Sequence, residues 1–219
     1  MNIKELINKY KHAWVFLYGF IYIPWFFYLE QNNTSGYYII HSPVDNYIPF
    51  IEYFIVPYLL WFLFIAVSVL YFFFTDKEGF YRLFTFLVIG MTTFLIICTV
   101  FPNGLNLRPE VFVRDNIFVD MVKQLYRTDT PTNVLPSIHV FNSLAVCCAI
   151  YHSDSLKKHK IIQYVCYILA GLIILSTMFL KQHSVTDVIA ATVMAGVIYP
   201  FVYVPAIRKA PSLSHQPVI

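Results

Sequence analysis

The stretch IIQYVCYILAGLIILSTMFLKQHSVTDVIAATVMAGVIYPFVYV, residues 161–204, decides the fold. It holds two apolar runs, 161–180 and 185–204, each close to the roughly 20 residues that carry a helix across a bilayer. Residues 181–184 are all that separates them, so the two runs form a hairpin with a tight turn. The turn and the start of the second run carry His183 and Asp187. Ionisable side chains are expensive inside a membrane and mark function by default.

Four further apolar segments, 13–29, 51–74, 80–101 and 134–151, repeat the pattern upstream. The chain of 219 residues is 58% hydrophobic and 12% charged, against about 25% charged in soluble domains. Its mean hydropathy is +0.63. These values predict an all-α integral membrane bundle of six transmembrane helices, one domain over 1–209, with a disordered tail over 210–219. The first run follows Lys4, Lys9 and Lys11, but Pro24 interrupts it and no small-residue cleavage pattern follows. It is read as a retained span.

The net charge of +3 is scattered between apolar runs rather than gathered into a stripe, which excludes nucleic acid as a partner. The cysteines, Cys98, Cys147, Cys148 and Cys166, sit inside apolar runs without metal spacing and read as packed thiols. With the amino terminus cytoplasmic, ten of the fifteen Lys and Arg residues fall on the cytoplasmic side. The other five, Arg108, Arg114, Lys123, Arg127 and Lys181, fall opposite. Both termini are then cytoplasmic, and the site faces outward near the outer surface. A bacterial plasma membrane fits this bias.

The longest polar connection is 102–133. Within it Val113, Ile117, Met121 and Leu125 recur at helical spacing. That stripe suits either an interfacial helix that guides a lipid headgroup or a helix packed over the bundle. Trp14, Trp25, Tyr37, Tyr38, Tyr58 and Trp61 lie near span ends and read as interfacial anchors rather than as an aromatic cage for a cation.

Two phrases carry the chemistry. In the first, His183 and Asp187 stand at i, i+4 and share a helix face. A carboxylate bonded to one ring nitrogen sets the tautomer and leaves the other nitrogen free to attack or to take a proton. Alone, such a pair could equally seal a helix end. The second phrase is Pro136-Ser137-Ile138-His139, at the start of the fourth run. First-turn amides and a serine hydroxyl there favour phosphate, and His139 stands near enough to serve an oxygen on the same phosphorus. Arg108-Pro109, on the same side, offers a guanidinium fork to phosphate oxygens.

Together these residues resemble the type-2 phosphatidic acid phosphatase (PAP2) superfamily. Pro136-Ser137-Ile138-His139 is similar to its PSxH signature. Ser176, His183 and Asp187 match its third signature, and Arg108-Pro109 the end of its first; the resemblance spans about 102–200. Phe101 stands where the family has Lys, and Thr177 where it has Arg. Lys181, four residues after Thr177, is expected to replace one of these cations. The departures resemble the inositol-phosphoceramide and sphingomyelin synthase-like phosphotransferases.

The resemblance implies a lipid phosphatase working through a phosphohistidine. Its site would comprise His183 as nucleophile, Asp187 orienting it and His139 as acid and base. Arg108, Ser137, Lys181 and Ser176 would hold the phosphoryl oxygens. It implies a phospholipid or polyprenyl phosphate as substrate, the bilayer as surroundings, and no metal or other cofactor. Transfer of a phospho-headgroup to a lipid alcohol is the near alternative. An inactive lipid-binding protein is a further one. A haem carrier ligated by His139 and His183 leaves Pro136, Ser137 and Asp187 without a role.

Overall fold

The protein, seen in a computed structural model, is described for Asn2, Glu5 and residues 8–209. The expected disordered tail, 210–219, lies outside the described residues. A 3-10 run, Lys11–Tyr18, leads into α1, Gly19–Asn32. The later helices are α2 (Ile55–Thr75), α3 (Lys77–Val100), α4 (Ile117–Thr128), α5 (Ile138–His152), α6 (Lys160–Phe179) and α7 (Val185–Lys209). Two short parallel strands, β1 (Tyr38–Ile39) and β2 (Asn103–Gly104), tie the loop after α1 to the loop after α3.

Among the described residues, five helices are long and apolar enough to cross a membrane: Lys11–Asn32, Glu52–Thr75, Lys77–Val100, Lys160–Phe179 and Val185–Val204. The sixth expected span, 134–151, is shorter than predicted. Its helix, α5, has 15 residues, or about 22 Å at 1.5 Å per residue, below the roughly 30 Å of hydrocarbon. The reason is local. The N–H groups of Val134 and Leu135 donate to Asn103 Oδ1 at 2.9 and 2.8 Å, not to a helical ladder. Pro136 also disfavours helix at the residue before it.

α5 has no need of full length because other helices enclose it. It packs against α2, α3, α6 and α7, and nine of its residues are buried. The enclosing helices turn apolar residues outward instead. On α6 these are Ile161, Val165, Ile168, Leu172 and Leu175; on α7 they are Ile189, Val193, Val197 and Phe201. An exposed apolar stripe at helical spacing is the surface a bilayer covers. The inward face of α6 carries Ala170, Ile173, Ser176 and Thr177.

Asp76 alone separates α2 from α3, and its carboxylate caps α3 by accepting from the Gly79 N–H at 2.9 Å. α3 then runs against α5 so closely that a Cβ at Gly90 would overlap the Phe141 ring. Phe86 stacks on the same ring with centroids 5.1 Å apart.

The polar connection does contain a helix, α4, begun by Asn116, whose Oδ1 accepts from the Phe118 and Val119 N–H groups at 3.0 Å. The expected stripe holds over its second half, where Met121 and Leu125 pack toward the bundle, but not over its first. Val113 and Ile117 are exposed, while Val119 and Val122 are buried. Val122 joins Ile55, Tyr58 and Leu180 in a small core over the bundle, so α4 is packed onto α2. The stripe began too early because it counted Val113, which precedes the Asn116 cap.

Replacing Gly90 by Val should overpack the α3–α5 contact and cost about 1–3 kcal/mol. Thermal unfolding in detergent reads this as a lowered Tm; an unchanged Tm would contradict the close approach.

Candidate active site

Three loops meet at one end of the bundle: residues 33–54, residues 101–137 and the 180–184 turn between α6 and α7. The turn is built first. α6 ends at Phe179, and Lys181 takes a left-handed φ of 53°, which reverses the chain. The N–H groups of Gln182 and His183 both return to the Thr177 carbonyl, at 2.9 and 3.0 Å. α7 then begins at Val185, under Asp45 of the first loop. Asp45 accepts from Ser184 Oγ at 2.6 Å and from the Val185 N–H at 2.8 Å.

This frame presents His183 and Asp187. Nδ1 of His183 lies 3.3 Å from Asp187 Oδ2, which also accepts from the Ser184 N–H at 2.9 Å. Asp187 is fully buried. With Nδ1 turned to the carboxylate, the ring nitrogen left for chemistry is Nε2.

The second histidine arrives on α5. Ser137 is the cap residue, its N–H reaching the Asp187 carbonyl at 3.3 Å, and His139 follows in the first turn. The imidazole of His139 lies against two rings of α2, with centroids 4.6 Å from Tyr58 and 4.3 Å from Trp61. Its centroid is 5.6 Å from that of His183. Both rings line a cavity of about 480 Å³, a size typical of ligand sites. α1 and α2 flank it with Tyr22, Phe26, Leu59 and Phe62, and Leu59 and Phe62 are themselves exposed on the outside of α2. The polar end of the wall holds Glu30, Asp129, Asn133 and Gln182.

The expected phosphate-holding residues sit elsewhere. Arg108 does not line the cavity. Its guanidinium donates to the carbonyls of Tyr126, Asp129 and Thr130 at 3.3, 2.9 and 3.1 Å, and to Gln182 Oε1 at 2.6 Å. It also lies over the Tyr126 ring at 4.5 Å. Lys181 donates to the Asp45 and Ile48 carbonyls at 2.9 and 2.6 Å. The i, i+4 relation to Thr177 fails because the helix ends at Phe179 and the chain reverses at Lys181 itself. Ser176 Oγ donates back to the Ile173 carbonyl at 2.6 Å, and Ser137 Oγ faces the Val140 N–H at 3.4 Å. The structure thus brings together His139, His183 and Asp187. It leaves Arg108, Lys181, Ser176 and Ser137 in the scaffold behind them.

Other residues take the wall. Gln182 bridges Arg108 to Asp129, donating to Asp129 Oδ2 at 3.2 Å, and the Tyr58 hydroxyl reaches the same oxygen at 3.4 Å. Tyr58 and Trp61, read from sequence as interfacial anchors, are buried against His139 instead. Burial pushes the Asp129 carboxyl above its ordinary pKa and the Arg108 guanidinium below its own. Asn142, three residues after His139 on the same helix face, has a buried Oδ1 with no partner. Two of these residues had a signal in the sequence: Gln182 and Asn142 are polar residues flanking the two histidines.

Two histidines on one cavity, one of them backed by a carboxylate, are an arrangement able to serve group transfer at a single centre. Residues 83–208 match the PAP2 superfamily, more than half of the chain, and the protein belongs to that superfamily. Its members are phosphatases or phosphotransferases, which fixes the class of enzyme at family level. No curated protein and no solved structure is similar enough to match.

Asn103, fully buried, holds the entry to α5 through the two N–H groups of Val134 and Leu135. Asn103→Ala strands both donors and should cost about 2–4 kcal/mol. Unfolding in detergent measures it, and a loss under about 1 kcal/mol would show that water replaces the side chain.

Proposed function

We propose that this protein takes the phosphoryl group of a membrane lipid onto His183 and passes it to water. The observation that carries the reading is the pairing of His183 with buried Asp187, 5.6 Å ring to ring from His139 in a cavity bounded by lipid-facing helices. His183 Nε2 attacks phosphorus, and Asp187 stabilises the charge that forms on the ring. His139 gives a proton to the departing alcohol oxygen and then takes one from the incoming water. Positioned groups of this type supply most of the catalysis in phosphoryl transfer.

The basic residues, counted by side, favour the histidine end facing outward from a bacterial plasma membrane, with both termini cytoplasmic. One observation also favours a lipid alcohol as the acceptor. Much of the cavity wall is aromatic, from Tyr22, Phe26, Phe62 and Phe94, and such a wall suits a second lipid.

The test uses lipids labelled with radioactive phosphorus in detergent with EDTA: phosphatidate, phosphatidylglycerol phosphate, undecaprenyl diphosphate and common phosphodiester lipids. The parent should release label and carry an acid-labile, base-stable protein adduct, with EDTA making no difference. His183→Ala should lose both, by about 10³-fold or more in rate; retained turnover above a few per cent would remove His183 as nucleophile.

His139→Ala should cost about 10²–10⁴-fold on a lipid ester. The loss should be much smaller on an ester with a good leaving group such as nitrophenolate. Equal losses on both would argue against the acid role.

A further inference from the structure

The cavity is acidic where a phosphate site is expected to be basic. Among the described residues no Lys or Arg lines it, while Glu30 and Asp129 do. Arg108 stands behind Asp129 and offsets one of those charges, with its own donors turned to carbonyls and to Gln182. Two carboxyl groups, against one guanidinium behind the wall, thus stand on the lining shared with the two histidines. A phosphomonoester dianion would meet these carboxyl groups with no Lys or Arg on the wall to balance it, and like charges in a poorly solvated site repel strongly.

The carboxylates are held in place. Glu30 accepts from Thr130 Oγ1 at 2.5 Å and from Asn133 Nδ2 at 2.7 Å, and Asp129 Oδ2 accepts from Gln182 and Tyr58. The Tyr58 ring touches Asp129 through its hydroxyl, and the same cavity is lined by Tyr22, Phe26 and Trp61. Ring faces and carboxylates together are what binds an ammonium group. Two further polar atoms near His139 are left unpaired. Asn142 Oδ1 and Trp61 Nε1 belong to cavity-lining side chains at least nine-tenths buried, and neither has a partner. Buried polar atoms without partners are rare in native proteins.

We propose that the cavity takes a phosphodiester lipid whose headgroup carries an ammonium cation. Its phosphate lies between His139 and His183, and its ammonium lies against Glu30, Asp129 and the aromatic wall. The ammonium supplies the positive charge that the wall lacks.

The chemistry rests on the phosphohistidine reading above. The N–P bond forms from His183 Nε2 as the P–O bond to the diacylglycerol oxygen breaks, and protonated His139 gives that oxygen its proton. Water then forms a new P–O bond as the N–P bond breaks, and its proton goes to His139. The products are diacylglycerol and a phosphorylated amino alcohol. A lipid alcohol in place of water would give a new phosphodiester lipid.

Binding to the His183→Ala protein in detergent separates this site from turnover. Short-chain phosphatidylcholine, phosphatidylethanolamine, phosphatidylglycerol and phosphatidate are titrated calorimetrically. At least one of the first two should bind about tenfold or more tightly than the last two, and the ranking of choline against ethanolamine identifies the ammonium. Adding Glu30→Gln and Asp129→Asn should bring the preferred lipid down to the phosphatidylglycerol level without weakening phosphatidylglycerol. Glu30→Gln alone, nearly isosteric, should lower the preference about threefold and serves if the double change does not fold.

Tightest binding of phosphatidate, or equal binding of all four lipids, overturns the proposal. So do variants that weaken every lipid alike. Headgroup preference in binding, with no lipid turned over by the parent, would keep this site and discard the phosphohistidine reading. Turnover confined to phosphatidate would do the reverse.

Discussion

The buried carboxylate of Asp45 is the interaction on which the site end of this bundle depends. It is 2% exposed, and it accepts from Ser42 N–H, Ser184 Oγ and Val185 N–H. A charge taken out of water is tolerated only when donors surround it, and here the donors come from two distant parts of the chain. Asp45 thereby caps α7, whose first N–H groups have no intrahelical partner. Its own carbonyl takes Lys181. The loop after α1 is therefore locked to the turn that carries His183. The His183–Asp187 pair inherits its position from that lock.

The same rule, that buried polar groups must be partnered, explains why so many expected phosphate ligands are absent from the cavity wall. Arg108 satisfies three carbonyls and Gln182 where the 101–137 loop closes over the bundle. Lys181 satisfies two more carbonyls in the first loop. Irregular backbone near the apolar part of a membrane protein needs such donors. Each cation is spent on holding loops, and what reaches the wall through Gln182 and Asp129 is their orientation, not their charge. Tyr58 carries that network to the ring of His139.

The site that results has a division of its own. Its reactive end has two imidazoles and a fully buried carboxylate behind one of them. The same lining holds two carboxylates and further aromatic faces, of Tyr22, Phe26 and Phe94. Under the proposed reading an anion goes to the imidazoles and a cation to the carboxylates. The flanks formed by α1 and α2 are largely apolar, and Leu59 and Phe62 of α2 both line the cavity and face outward.

Much of this was legible in the sequence. Apolar runs of membrane length gave the helices, because a bilayer leaves the backbone few other choices. The pairing of His183 with Asp187 was legible too, though not as a shared helix face: His183 stands in the turn before α7 and folds back onto Asp187 in that helix's first turn. The short α5 was not legible, since it depends on Asn103, some thirty residues upstream, taking the N–H groups of residues 134 and 135. The start of α4 depended on the Asn116 cap. The role of Lys181 depended on where α6 stops. Local periodicity and motif spacing picked out His139, His183 and Asp187, which the fold brings together. Which charges face the cavity was decided only in the tertiary structure, because Arg108 and Lys181, both half-buried, go to the unpaired carbonyls that the folded loops bring within their reach.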